Sequence, residues 1–341
     1  MNTHERLQAV LNFRPFDRLP VVEWAPWWDK TLERWHAEGL PASVKGLREV
    51  SEHFGMDIWI QDGAYMWSPN PPPPPAHGAG IIETAADYDR LIKPLYTQDG
   101  VNRPHWEAIA AEQARGDVAI WITFGGYFWT PRSLLGIERH LFAFYDQPEL
   151  MHRMNADQLE WQLRATEVMA SYCTPVFMTF AEDLSYNHGP MLSRELFEEF
   201  LAPYYRRIIP ALKKHGILVF IDTDGDVAEP ARWFLELGVD GLLPLERQAG
   251  VDAGKLRAEH AKLRMIGHFN KLTMHRGEDV MRAEFERLLP IAARGGLVIS
   301  CDYQTPPGVS YQDYQLYIRL FREYADRAGK LSRSASGAAG R

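Results

Sequence analysis

The chain offers an unusual density of carboxylates in positions suited to chemistry. Polar or acidic residues close eight short apolar runs in turn: Glu23, Asp62, Thr123, Glu182 with Asp183, Asp222 with Asp224, Glu246, His268 with Asn270, and Cys301 with Asp302. An acid after a strand is often only the cap of the next helix. Capping does not require carboxylates at nearly every run, so the set points to a shared site. Clustered carboxylates raise one another's pKa values and thereby supply a proton carrier near neutral pH. Glu182, Asp183, Glu246 and Asp302 are read as acid/base or cation-binding groups.

Aromatic residues crowd the same segments: Trp24, Trp27, Trp28, Tyr65, Trp67, Tyr127, Phe128, Trp129, Tyr186 and Tyr303. Acids beside aromatic faces suit a cationic ligand, through ion pairing and cation–π attraction, or an apolar aromatic ligand held by stacking. The same rings also serve simply to pack loops. Expected substrate contacts are Trp24, Trp28, Asp62, Tyr127, Arg132, Tyr186, His188, Asn270 and Tyr303, with Arg132 as an orienting group. His188 is either a substrate contact or a loop histidine, and His268 either a ligand, an acid/base or a hydrogen-bonded wall residue.

The elements that must position these groups are the runs themselves, at residues 20–24, 57–60, 118–122, 175–180, 218–221, 240–245, 263–267 and 296–301. Continuous apolar runs are what a parallel sheet covered by helices requires. With helical stretches between them they predict a (β/α)8 TIM barrel, an α/β fold whose chemistry sits at the C-terminal ends of its strands. Residues 1–330 are read as one domain, with a stiff proline-rich insertion at 68–80 and a disordered tail at 331–341. The insertion is either a spacer, a lid edge or a partner-binding segment. An opening helix after Thr3 is expected to plug or flank the barrel bottom.

The 341 residues carry 37 basic and 45 acidic side chains, a net charge of -8 that argues against nucleic acid or an anionic membrane as partner. The N-terminus lacks the apolar core of a secretory signal and no run of 18 apolar residues occurs, so a cytoplasmic protein is expected. Cys173 and Cys301 are the only cysteines, too few and too far apart for a disulfide framework or a cysteine-rich zinc module.

Several segments together carry a resemblance: ERLQAVLNFRPFDRLPV near the start, FGMD at 54–57, EDLSYNHGPMLSRELFEEFLAPYYRRI from Glu182, GVDGLLPLERQAGVD from Gly238 and DYQTPPGVSYQDYQLY from Asp302. They resemble the uroporphyrinogen decarboxylase family over about residues 3–324. The superfamily also holds methyltransferases that move methyl groups between a corrinoid protein and an acceptor such as coenzyme M. The decarboxylases bind an octacarboxylate through arginines in an RQAGRY-like segment. Here that stretch is Glu23-Trp24-Ala25-Pro26-Trp27-Trp28-Asp29, without arginine. Their catalytic aspartate corresponds to Asp62 at a shorter spacing, their tyrosine falls on Leu134, and their late histidine on Cys301 or Asp302.

In the corrinoid-linked relatives an HxC pair and a later cysteine hold zinc. These fall on Asp222 and Asp224 and near Cys301, and with His268 from the strand-end reading they make a candidate site for zinc with oxygen ligands or another divalent metal. The resemblance implies methyl transfer from a small methylated amine or methoxy-aromatic, cobalamin carried by a partner corrinoid protein, and a homodimer. Two alternatives stand beside it: decarboxylation of a porphyrinogen or smaller acid, and a non-catalytic ligand-binding barrel.

Overall fold

The computed structural model describes residues 1–62, 71–97 and 100–339. Seven parallel strands form one curled sheet, hydrogen-bonded in chain order: β1 Ile58–Asp62, β2 Val118–Gly125, β3 Phe177–Ala181, β4 Leu218–Asp222, β5 Gly241–Leu243, β6 Arg264–Phe269 and β7 Leu297–Cys301. Helices follow the strands and cover the outer face, which gives the TIM-barrel fold expected from the apolar runs.

Residues 20–24, the first expected strand, form no ladder. They bridge β1 and β7 by single bonds: the Asp57 N–H donates to the Val21 carbonyl at 2.9 Å, and the Trp24 N–H to Ser300 Oγ at 3.0 Å. Pro20 has no N–H to give, and a serine side chain takes the place of a strand carbonyl. Two buried carboxylates close the gap instead. Near the barrel bottom Asp57 accepts from Arg6 Nη1 (2.9 Å), both terminal nitrogens of Arg18 (2.5 and 2.9 Å) and the Val21 N–H (2.8 Å). At the mouth end Glu23 accepts from Ser300 Oγ (2.6 Å), the Cys301 N–H (2.8 Å) and the Tyr317 hydroxyl (2.7 Å). Burial pushes the Glu23 carboxyl up, and these donors pull against it.

The lumen is packed in layers. Trp59, Trp121, Phe177 and Phe220, from β1 to β4, pack ring on ring at 5.7, 5.1 and 5.1 Å. Gly241 makes room for them, since a Cβ there would lie 2.2 Å from the Phe220 ring. Side chains two residues apart share a face of a strand. The next inward layer is therefore Gln61, Thr123, Thr179 and Asp222, and it is polar: Gln61 Nε2 donates to Thr123 Oγ1, which lies 2.9 Å from Thr179 Oγ1. An aromatic plug thus carries a polar floor.

The opening helix, Thr3–Leu11, seals the bottom: the Gly296 N–H donates to Val10 O at 2.6 Å and Arg264 Nε to Leu11 O at 2.7 Å. The expected tail at 331–341 differs from what is found. The last helix, Tyr311–Ala339, continues through it, with Ser332 buried and Arg333 Nη1 donating to the carbonyls of Phe16 and Asp17. Residues 340–341 lie outside the described residues, as do 68–70 of the proline-rich insertion, Tyr65 and Trp67. Pro72 to Pro75 are exposed, without helix or strand. No helix among the described residues is long and apolar enough to cross a membrane.

Removing Asp57 takes the carboxylate from the half-buried Arg18 and one of two carboxylates from the buried Arg6, which keeps Asp17. Asp57→Ala is expected to lower the unfolding free energy by about 3–5 kcal/mol in urea denaturation. A loss below about 1 kcal/mol would show that the clasp is not what closes the barrel.

Candidate active site at the barrel mouth

Above the polar floor opens a cavity of 340 Å³, lined by Asp183, Asp222 and Asp224 together with Trp24, Trp129 and Tyr303. Asp222 is the last residue of β4, in register with Ala181 at the end of β3. Its backbone carbonyl accepts from the N–H groups of Glu182 (2.8 Å) and Asp183 (3.2 Å), while its carboxyl has no hydrogen-bond partner among the described residues. The residue is half-buried and lines the cavity. Burial first, then the charges of Asp224 and Asp183, hold its pKa well above the ordinary aspartate value.

Asp224 shares the wall, and its Oδ1 is buried without a partner. Burial, Glu246 and Asp183 push it up to about 7, against the pull of Lys271. Asp183 takes a left-handed backbone, φ 44°, a conformation in which aspartate is commoner than most residues. Arg132 pins it there by donating to its carboxylate at 3.0 Å and to its carbonyl at 3.3 Å, while stacking over Trp129 at 5.0 Å.

Behind this wall lies a network centred on a lysine that the strand-end pattern missed. Lys271 Nζ donates to Asp302 Oδ1 (3.4 Å) and Gln248 Oε1 (2.8 Å), lies 3.9 Å from Glu246, and sits 5.5 Å from the centre of the Tyr303 ring. Asp302 is fully buried and also accepts from the backbone N–H groups of Arg247 and Lys271, both at 3.1 Å. Glu246 accepts from the Gly225 N–H at 3.1 Å, which ties the loop carrying Asp224 to the end of β5. A single lysine two residues beyond β6, among so many acids, was the available signal. Gln61 and Gln304 also line the cavity and were missed because neither is charged.

Other expected groups are engaged elsewhere. Glu182 borders the cavity, but its carboxylate accepts from the N–H groups of Tyr127 (2.9 Å), Phe128 (2.8 Å) and Trp129 (3.1 Å) and from the Tyr205 hydroxyl. Burial raises it to about 7 against those four donors, and it works as a clamp on the loop that presents Trp129. Tyr127 is buried, with its hydroxyl donating to Gln162. Asp62 pairs with His105 rather than facing the lumen, the place taken by Gln61. Asn270 caps the turn after β6 by accepting from the Leu272 N–H. Trp28 and Tyr186 are exposed, and Tyr186 packs edge-on to His188 on a short surface hairpin.

The four expected metal ligands do not form one set. His268 has a left-handed backbone, φ 72°, and both ring nitrogens are occupied: Nδ1 faces Leu245 O at 2.8 Å, and Nε2 accepts from the Ala253 N–H (3.0 Å) and Arg287 (3.1 Å). Burial lowers its pKa to about 4, so it is a neutral wall residue. Cys301 is buried against Glu23, with Sγ 3.6 Å from Oε1, and burial pushes the thiol well above its usual value. Among the described residues no three His, Cys, Asp or Glu side chains group so as to hold a metal ion. The expected donor set therefore does not fit a metal, and no step below uses one.

Residues 45–324 match the uroporphyrinogen decarboxylase (URO-D) family. The chain belongs to that family. Among solved structures it is similar to a methyltransferase from Methanosarcina mazei, with a TM-score of 0.64 and 16% identity over 95% of this chain and 99% of that one. A putative vitamin-B12 independent methionine synthase from Listeria monocytogenes overlaps less closely, with a TM-score of 0.44 and 13% identity over 93% of this chain and 97% of the other. The first likeness supports the fold of this URO-D member. No curated protein sequence matches the chain.

The raised pKa of Asp224 has a direct thermodynamic consequence. The folded state holds a proton that the unfolded chain has released, so stability is lost as pH rises from about 4 towards about 7. Asp224→Asn is therefore expected to stabilise the protein at pH 8, by on the order of 2–4 kcal/mol after allowance for its partial exposure, and to change little at pH 3.5. Thermal or urea unfolding at the two pH values checks this. Destabilisation at pH 8 would contradict the environment described here.

Proposed function

We propose that this URO-D family member is an enzyme of methyl transfer, moving a methyl group between a small methylated substrate held in the mouth cavity and a corrinoid carried by a partner protein. The observation that carries the reading is the Asp222 carboxyl, half-buried and without a hydrogen-bond partner among the described residues, lining one cavity with Trp24, Trp129 and Tyr303. A carboxyl left without a protein partner in a cavity wall is available to a ligand. The cavity falls at the lower end of the roughly 300–1,000 Å³ range of small-molecule sites.

Each wall has a task. The aromatic side holds the methyl-bearing end and excludes water from it. Asp222 and Asp224 face the heteroatom that gives up the methyl group, where they donate a proton to an oxygen or balance the charge of an ammonium. Arg132 keeps Asp183 in place, and Lys271 holds Asp302 and Glu246 together behind Asp224. The corrinoid would supply the electron pair that takes the methyl group, while the substrate's own bonding pair leaves on its oxygen or nitrogen.

The acidic wall weighs against decarboxylation of a porphyrinogen, because an octacarboxylate would meet Asp183, Asp222 and Asp224 with Lys271 already committed. The purified protein, mixed with reduced cobalamin and a panel of methylated amines and aryl methyl ethers, is expected to form methylated cobalamin with at least one donor. Asp222→Asn should slow that reaction by about 10²-fold. Carbon dioxide release from carboxylic acids, with no methyl transfer from any donor, would contradict the proposal.

A further inference from the structure

The charges around the cavity do not balance, and the imbalance has a location. Arg132 is spent on Asp183, and Lys271 on Asp302, Glu246 and Gln248. The guanidinium of Arg247 turns away to the Val251 carbonyl and Asp252. No salt bridge reaches Asp222 or Asp224 from any described residue, so two adjacent carboxyl groups face the cavity with no cation of their own. Trp24, Trp129 and Tyr303 line the same cavity. We infer that the mouth cavity is a cation site, and that its ligand is a methylated ammonium compound lacking a carboxylate.

Each half of the site selects for that chemistry. Paired carboxyls attract a positive charge and repel a negative one, which excludes acids and disfavours zwitterions. Aromatic faces bind a diffuse quaternary ammonium without demanding directional hydrogen bonds, and attract it by about 0.5–2 kcal/mol per well-placed ring. The rings already show this property towards the protein's own cations: Arg132 stacks on Trp129, and Lys271 lies over Tyr303. A neutral arene would gain nothing from the three aspartates that make up much of the lining. Burial and the neighbouring carboxylates, Asp224 and Asp183 for Asp222, Glu246 and Asp183 for Asp224, favour the protonated form of both acids against the pull of Lys271 on Asp224. A quaternary ammonium supplies the missing compensation, and also leaves as a neutral amine without needing a proton.

The inference rests on the methyl-transfer reading for the fate of the ligand and on the cavity alone for its identity. Choline and its uncharged carbon isostere, 3,3-dimethylbutan-1-ol, are suitable probes, titrated into the full chain by calorimetry and by tryptophan fluorescence. Choline is expected to bind at least about tenfold more tightly than the alcohol. In the Asp222→Asn/Asp224→Asn double variant that preference should fall to near unity. Removing the repulsion is expected to leave the variant folded, which circular dichroism and its alcohol affinity check. Equal binding of the two probes, tighter binding of 4-methoxybenzyl alcohol than of choline, or no choline binding at on the order of 10 mM would overturn the inference. Choline binding without methyl transfer to cobalamin would uphold the cation site and remove the methyl-transfer reading. Methyl transfer from aryl ethers alone, without choline binding, would do the reverse.

Discussion

Closure of the barrel by side chains rather than by a backbone ladder is the constraint on which the rest of the molecule depends. Seven strands leave a gap between β1 and β7, and residues 20–24 span it with single bonds. Asp57 gathers Arg6, Arg18 and the Val21 N–H at one end, and Glu23 gathers Ser300, Cys301 and Tyr317 at the other. Buried acids are tolerable where each oxygen receives several donors, and both meet that condition. The upper clasp reaches directly into the site. Trp24 follows Glu23, donates its indole N–H to the Cys301 carbonyl at 2.8 Å, and forms part of the cavity's aromatic wall.

Glu182 and Asp222 show how differently the fold treats two neighbouring carboxyls. Glu182 receives three backbone N–H groups and a tyrosine hydroxyl, and spends its charge on shaping the loop after β2. Asp222, whose carbonyl anchors Glu182, receives nothing at its carboxyl. One acid is used to build and the other is kept for a ligand. Stability given up at a functional site in this way is a common cost of activity, and the well-packed aromatic lumen below provides the reserve.

The sequence made seven strands legible because buried parallel strands are continuous apolar runs. The eighth run, 20–24, also reads as apolar; Pro20 signals one missing ladder bond, but its residue types do not reveal that Ser300 and Asp57 will meet it in place of a ladder. The acids of the mouth were readable from position alone, and Asp183, Asp222 and Asp224 do share one wall. Residue type at a strand end does not disclose direction, however. His268 turns into the wall through a left-handed backbone, Cys301 faces Glu23, and Asp62 points to His105 while Gln61 takes the inward place. Residue type at this loop points to Tyr127 as readily as to Trp129, two positions on. The Glu182 clamp decides which of them reaches the cavity, and that contact spans more than fifty residues.

The central claim is that burial and neighbouring carboxylates hold Asp222 and Asp224 in their protonated forms until a ligand compensates them. Infrared difference spectroscopy across a pH titration tests it most directly, with Asp222→Asn and Asp224→Asn used to assign the bands. The account expects one protonated carboxyl stretch that titrates at about 7 and is lost in Asp224→Asn, and a second that is lost in Asp222→Asn and titrates well above the ordinary aspartate value. Two carboxylates already ionised at pH 5 would contradict it.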